Sequence, residues 1–187
     1  SPIREVAYIP GSNSLWKEIK VWGHYAYAVS ENSAQGVQII DLQYLPDSAH
    51  LVRSVFTIGP RNVGNSHTVT VADGYLYLNG GSSNGTTIYS LADPINPTYL
   101  GQFQTAYVHD SYVRNDTLLA AAINGQGLYI VSVANKATPV QLGLISYTGS
   151  GTHNAWLDIT GRYAYTSDEV GSTPKTMKVW DIQNLPS

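Results

Sequence analysis

Four times along the chain a short strand start is followed by the same kind of phrase, and three of the four starts carry a histidine. The starts are Trp16-Lys17-Glu18-Ile19, Ser66-His67-Thr68-Val69, Val108-His109-Asp110-Ser111 and Thr152-His153-Asn154-Ala155. Their second residues lie 50, 42 and 44 positions apart. A period of that length marks a chain of repeated supersecondary units, none of which buries its apolar face without a neighbour. It also sets His67, His109 and His153 at equivalent points of successive units, where they can converge.

Each unit reads as strands with period-two alternation, separated by Gly, Asn, Asp and Pro turns. The start is followed by an aromatic or apolar strand (residues 24–29, 74–78, 117–122 and 162–165). A Gly-containing loop then leads to a third strand (36–42, 86–91, 127–133 and 177–182). Proline corners follow at Leu45-Pro46, Pro94 to Pro97, Pro139 and Leu185-Pro186, and proline cannot donate to a ladder. Fourth strands are expected at 51–58, 98–103 and 140–147, while the last unit has none. Residues 3–9 read as a fourth strand with no unit before them.

The expected fold is therefore all-β: a single-domain β-propeller over residues 1–187 with four four-stranded blades, at about 15–59, 65–105, 107–148 and 151–186. Residues 3–9 would close the last blade and remove its open edge. The alternative is a segment of a larger propeller, completed by further blades or chains. The opening at Ser1-Pro2, without Met or a signal peptide, reads as a processed protein or an excised fragment.

Composition narrows the function classes. Charged residues are 12% of the chain, about half the usual share, and 14 Tyr and 17 Gly fill much of the gap. A net charge of −3 with scattered Lys and Arg gives no electrostatic footprint for nucleic acid. With no cysteine, disulfides and thiolate metal sites are excluded. No apolar run reaches the length of a membrane span. There is no Gly-x-Ser-x-Gly, no His-Glu-x-x-His and no phosphate loop; Gly80 to Gly85 lacks the Lys and helix that a phosphate loop needs.

Taken in order, the phrases resemble those of LVIVD-repeat propellers, in particular the choice-of-anchor B family of bacterial exported proteins. The resemblance rests on Trp16-Lys17-Glu18-Ile19-Lys20-Val21, on Ala28-Val29-Ser30-Glu31 leading to Gly36-Val37-Gln38-Ile39-Ile40-Asp41-Leu42, and on the three histidine phrases. The last of these runs Thr152-His153-Asn154-Ala155-Trp156-Leu157 and is followed by Ser167-Asp168-Glu169. Ser66-His67-Thr68 stands where a His-Asn pair is usual. The resemblance implies an extracellular or cell-surface protein and no defined reaction.

In a propeller the inner strands begin at one mouth of the central channel. That places Trp16, Lys17, Glu18, Glu31 and Trp156 as candidate ligand-binding residues there. His67, His109, Asp110, His153, Asp168 and Glu169 are the candidate metal ligands. Imidazoles suit a transition ion such as zinc, whereas an oxygen-rich subset suits calcium. The competing role for these histidines is structural, each pinning one blade to the backbone of the next. His24 and His50 fall off the pattern and read as surface residues. Three functions compete: a non-enzymatic structural or protein-interaction module, a metal-binding protein or metal-dependent enzyme, and a carbohydrate-binding module using exposed aromatics. The expected partner is a protein or glycan at the cell surface.

Overall fold

The computed structural model describes residues 2–32 and 34–184. They form antiparallel sheets with no α-helix, and one short 3-10 turn at Gly81–Ser83. The first sheet is β1 (Lys17–Trp22), β2 (Tyr25–Ser30), β3 (Val37–Asp41) and β4 (His50–Val55), paired in chain order. A two-stranded hairpin follows, β5 (Thr57–Ile58) with β6 (Arg61–Asn62). The second sheet is β7 (Thr68–Ala72), β8 (Tyr75–Asn79), β9 (Thr86–Ser90) and β10 (Thr98–Phe103). The third is β11 (Asp110–Arg114), β12 (Thr117–Ala122), β13 (Gly127–Ser132) and β14 (Val140–Ile145). The fourth has three strands, β15 (Thr152–Leu157), β16 (Tyr163–Asp168) and β17 (Met177–Asp181). The expected corner at Leu185-Pro186 lies outside the described residues.

The first strands of the four sheets lie side by side, β1 against β7, β7 against β11 and β11 against β15, giving a propeller-like array around a channel. Alternation decides which residues meet. Tyr27, Val29, Val37 and Ile39 of the first sheet pack on Val69, Leu76, Leu78 and Tyr89 of the second. Tyr77 and Ile88, from the other face of the second sheet, pack on Leu118, Ala120, Tyr129 and Val131 of the third. Leu119, Leu128 and Ile130 continue the pattern onto Ala155, Leu157 and Ala164. Every interior sheet is thus covered on both faces, which is why the β12 and β13 patterns are nearly continuous in burial.

Small residues admit the strand ladder where it is tightest. Gly127, at a φ of +98°, sits where a Cβ would come within 2.1 Å of the Ile145 carbonyl oxygen. Gly85 stands in the equivalent place, 2.1 Å from the Phe103 carbonyl oxygen by the same measure. The fourth sheet has Thr176 just before its third strand and, among the described residues, no fourth strand beside it.

Among the described residues the array does not close on itself. The substantial contacts run from the first sheet to the second, third and fourth in turn, and none of them joins the fourth back to the first. Two end faces are left, and equivalent positions measure the effect. Ile19 is 54% exposed, whereas Val69, Ser111 and Ala155 at the same place are buried. Met177 and Val179 are 69% and 53% exposed, whereas their counterparts Thr86 with Ile88, and Leu128 with Ile130, are at most 1% exposed.

Residues 3–9 depart from the expected closing strand. They carry no strand and lie over the outer face of the first sheet, with Val6, Ala7 and Ile9 lining a groove against Ala26, Ala28 and Ile40. Arg4 Nη2 donates to the Pro46 carbonyl at 3.1 Å, and Gln38 Nε2 donates to the Pro10 carbonyl at 2.8 Å. The physical reason is reach: a short connection ties this segment to β1, and the fourth sheet stands at the far end of the arc. The segment covers Ala26 and Ile40 but leaves Ile19 and Val21 open.

The tyrosine pairs make the packing argument testable. Tyr77 and Tyr165 occupy equivalent positions, the first buried between two sheets and the second on the end face. Tyr77→Ala is expected to cost about 3–5 kcal/mol and Tyr165→Ala no more than about 1–2, measured by denaturant unfolding.

Candidate functional site

The inner strands are joined sideways by side chains that reach the neighbouring backbone. Glu18 Oε2 accepts from the Val69 N–H at 2.8 Å. Thr68 Oγ1 donates to the His109 carbonyl at 2.6 Å, and Thr70 Oγ1 to the Ser111 carbonyl at 2.7 Å. Beneath them Asn79, fully buried, donates through Nδ2 to Thr68 Oγ1 at 3.1 Å and Ser111 Oγ at 3.0 Å, and accepts from Thr86 Oγ1 at 2.8 Å. These bonds hold successive strand starts in register and stack the three histidines on one another. Ring centroids are 4.1 Å apart for His67 and His109 and 4.7 Å for His109 and His153.

The hydrogen bonds define the tautomers of two of these rings. His67 Nδ1 lies 2.7 Å from Glu31 Oε1, and a carboxylate only accepts, so Nδ1 carries the proton. His109 Nδ1 lies 3.0 Å from the His153 carbonyl oxygen and carries its proton for the same reason. His109 therefore does pin its neighbour's backbone, with one nitrogen. The remaining nitrogens, His67 Nε2 and His109 Nε2, face each other at 2.7 Å. Glu169 Oε2 stands 3.5 Å from both His109 Nε2 and His153 Nε2. Burial, then the neighbouring His67, holds the His109 imidazole below its usual pKa and so favours its neutral form.

Tyr107, which the sequence did not single out, completes the surroundings. Its hydroxyl donates to Glu31 Oε1 at 3.3 Å, and burial followed by the Glu31 charge pushes its pKa up to about 12. Its place directly before Val108-His109 was the available signal. Trp16, half exposed, and Lys17 line the same mouth, a cavity of about 350 Å³ with Leu15, His67, His109 and His153.

Three expected residues go elsewhere. Asp168 is turned away from the histidines, accepting from Tyr147, from the Lys178 ammonium and from the Gly151 N–H at 3.2 Å. Burial would raise its carboxyl, but Lys178 and Tyr147 outweigh that and hold it below the usual range. Asp110 lines the mouth as well as the channel below it but stays outside the group of His109, His153 and Glu169, and burial and then the Glu18 charge push its pKa up to about 6. Trp156 lies deeper in the channel, its ring 4.3 Å from that of Tyr112, in a cavity of about 580 Å³ with Glu18 and Lys20. The oxygen-rich set expected for calcium is therefore not assembled: Glu18 is engaged by Lys20 and Val69, and Asp168 by Lys178. His24 and His50 are exposed, bonded to Asp41 and Ser48.

No family profile and no curated protein matches the chain. Solved structures do match in fold. A computationally designed protein, Ika4, aligns over 97% of this chain and 99% of its own, at 12% identity and a TM-score of 0.66. Hydrazine synthase of Kuenenia stuttgartiensis aligns over 94% of this chain and 50% of its own, at 12% identity and a TM-score of 0.63. A 6-phosphogluconolactonase candidate from Bacteroides fragilis NCTC 9343 aligns over 97% and 56%, at 13% identity and 0.66. The chain spans about half the length of these two natural structures. At such identities the likeness is one of fold: an all-β, propeller-like architecture.

The buried amide under the mouth carries the register of the site. Asn79→Ala removes three buried hydrogen bonds at once, leaves the Thr86 hydroxyl without its acceptor, and is expected to cost roughly 2–4 kcal/mol. Calorimetric or denaturant unfolding measures it, and Asn124→Ala, at an exposed turn position, serves as the near-neutral comparison.

Proposed function

We propose that this chain is a non-enzymatic β-propeller segment of four blades, which works by joining a protein partner through the two end faces of its arc. The partner's contacting surface is taken to be built of blades as well. The observation that carries this reading is the exposure of Ile19, Val21, Met177 and Val179 at positions whose counterparts are buried between sheets, or half-buried in the case of Val71. The two faces are the two halves of one interface that the molecule already makes three times. The outer face of the fourth sheet presents Tyr163, Tyr165 and Val179, matching Tyr25, Tyr27 and Ile39, which face the second sheet. The outer face of the first sheet presents Ile19 and Val21, matching Val69 and Val71.

Stacked repeats add in this way, each new unit burying the free face of the last. A second copy related by a two-fold axis satisfies both faces together, fourth sheet on first and first on fourth, leaving none open. In such a ring residues 3–9 of one copy lie beside the unpaired β17 edge of the other. The order of the LVIVD-like phrases supports placing the module in an exported, surface-bound protein.

Light scattering on the whole chain tests this. The expected result is concentration-dependent association that Ile19→Lys or Val179→Lys each abolishes while leaving the circular dichroism unchanged. A chain that stays monomeric at high micromolar concentration, binds no hydrophobic dye and is indifferent to both substitutions would overturn it.

A further inference from the structure

We propose that the channel mouth holds one divalent transition ion, bound by His109 Nε2, His153 Nε2 and Glu169 Oε2, with His67 Nε2 as the fourth donor. The site is independent of what covers the end faces, since all four donors come from the second, third and fourth sheets.

The argument starts from the two nitrogens that face each other at 2.7 Å. Glu31 accepts the Nδ1–H of His67 and the His153 carbonyl accepts that of His109, so in both neutral rings Nε2 is the nitrogen with the free lone pair. Two bare lone pairs at that distance repel; a proton held between the rings removes the repulsion, and so does a metal cation beside them that takes the proton's place. Metal-bound histidines are held in this way, with the second ring nitrogen donating to a carboxylate or a backbone carbonyl that fixes ring and tautomer. Here one ring has each kind of partner.

The remaining distances suit a small ion. Bonds of about 2.0–2.2 Å in a tetrahedron put neighbouring donors roughly 3.3–3.5 Å apart. Glu169 Oε2 stands at 3.5 Å from both His109 Nε2 and His153 Nε2, and the donor atoms of these three residues all lie within 4.8 Å of one another. His67 Nε2 lies outside that group and has to swing from His109 toward His153 and Glu169 to complete the set. His109 is buried and supplies a rigid floor, whereas His153 and Glu169 stand at the open rim, which gives an ion its path in.

Donor chemistry selects the ion. Three imidazoles and one carboxylate suit zinc, copper or cobalt, whereas calcium takes six to eight oxygens and magnesium keeps several waters. Asp110 lines the same mouth but is not among the donors grouped there, and is left out of the set.

The test uses the whole chain after treatment with a chelator and dialysis. Zinc is titrated calorimetrically and cobalt by visible absorption, where a four-coordinate ion gives strong bands. One equivalent is expected to bind, to raise the melting temperature and to give those bands. His153→Gln, at the rim, is expected to weaken zinc binding at least 100-fold without loss of fold, and Glu31→Gln, which acts through His67, by about 10–100-fold. His24→Ala and His50→Ala are expected to change nothing. If zinc and cobalt fail to bind to the folded chain, or binding survives His153→Gln and Glu169→Gln but is lost with His24→Ala or His50→Ala, the proposal is wrong.

Discussion

Everything in this molecule depends on one constraint: a twisted β-sheet with apolar residues on both faces has to be covered on both. The second and third sheets meet it with neighbours on either side, and their central strands are buried almost throughout. The sheets at the ends meet it on one face only. The N-terminal segment shields part of the first sheet with Val6, Ala7 and Ile9, and nothing comparable lies over Met177 and Val179 among the described residues. Burial of apolar surface is non-directional and scales with area, so an uncovered face of this kind is a standing drive toward association.

The same stacking organises the polar groups. Thr68, Thr70 and Glu18 reach across to neighbouring backbones because the strand starts lie side by side, and Asn79 ties two of those reaches together. In a low-dielectric interface each such bond is firm when made and costly when broken. The histidines are the outermost row of this scheme. His109 serves both roles at once, one ring nitrogen fastening the next strand and the other facing its neighbours at the mouth.

Much of this was legible in the residues. The spacing of His67, His109 and His153 placed them on adjacent strands, and the aromatic stretches 24–29 and 74–78 are the second strands of their sheets, β2 and β8. Glu31 and Glu169 were also found near the mouth. What was not legible depended on competition between partners. Asp168 precedes Glu169 by one position, and strand alternation sends the two carboxylates to different neighbours, one to Lys178 and one to the histidines. Residues 3–9 have the alternation of a strand, but the pattern cannot say which edge is within reach. Tyr107 has a place in the repeat, two before His109, but Asn65 and Gly151 stand at that place before His67 and His153, so the repeat does not mark its chemistry.

The row of imidazoles has one more consequence. Its members sit on three separate sheets, so the gaps between their nitrogens are set by the angle at which one sheet leans on the next. The 2.7 Å approach of His67 to His109 is a gauge of curvature: a flatter arc parts the rings, and a tighter one crowds them. Whatever grips those nitrogens also grips the hinge lines between sheets, and so acts as a clasp on the bend of the whole array.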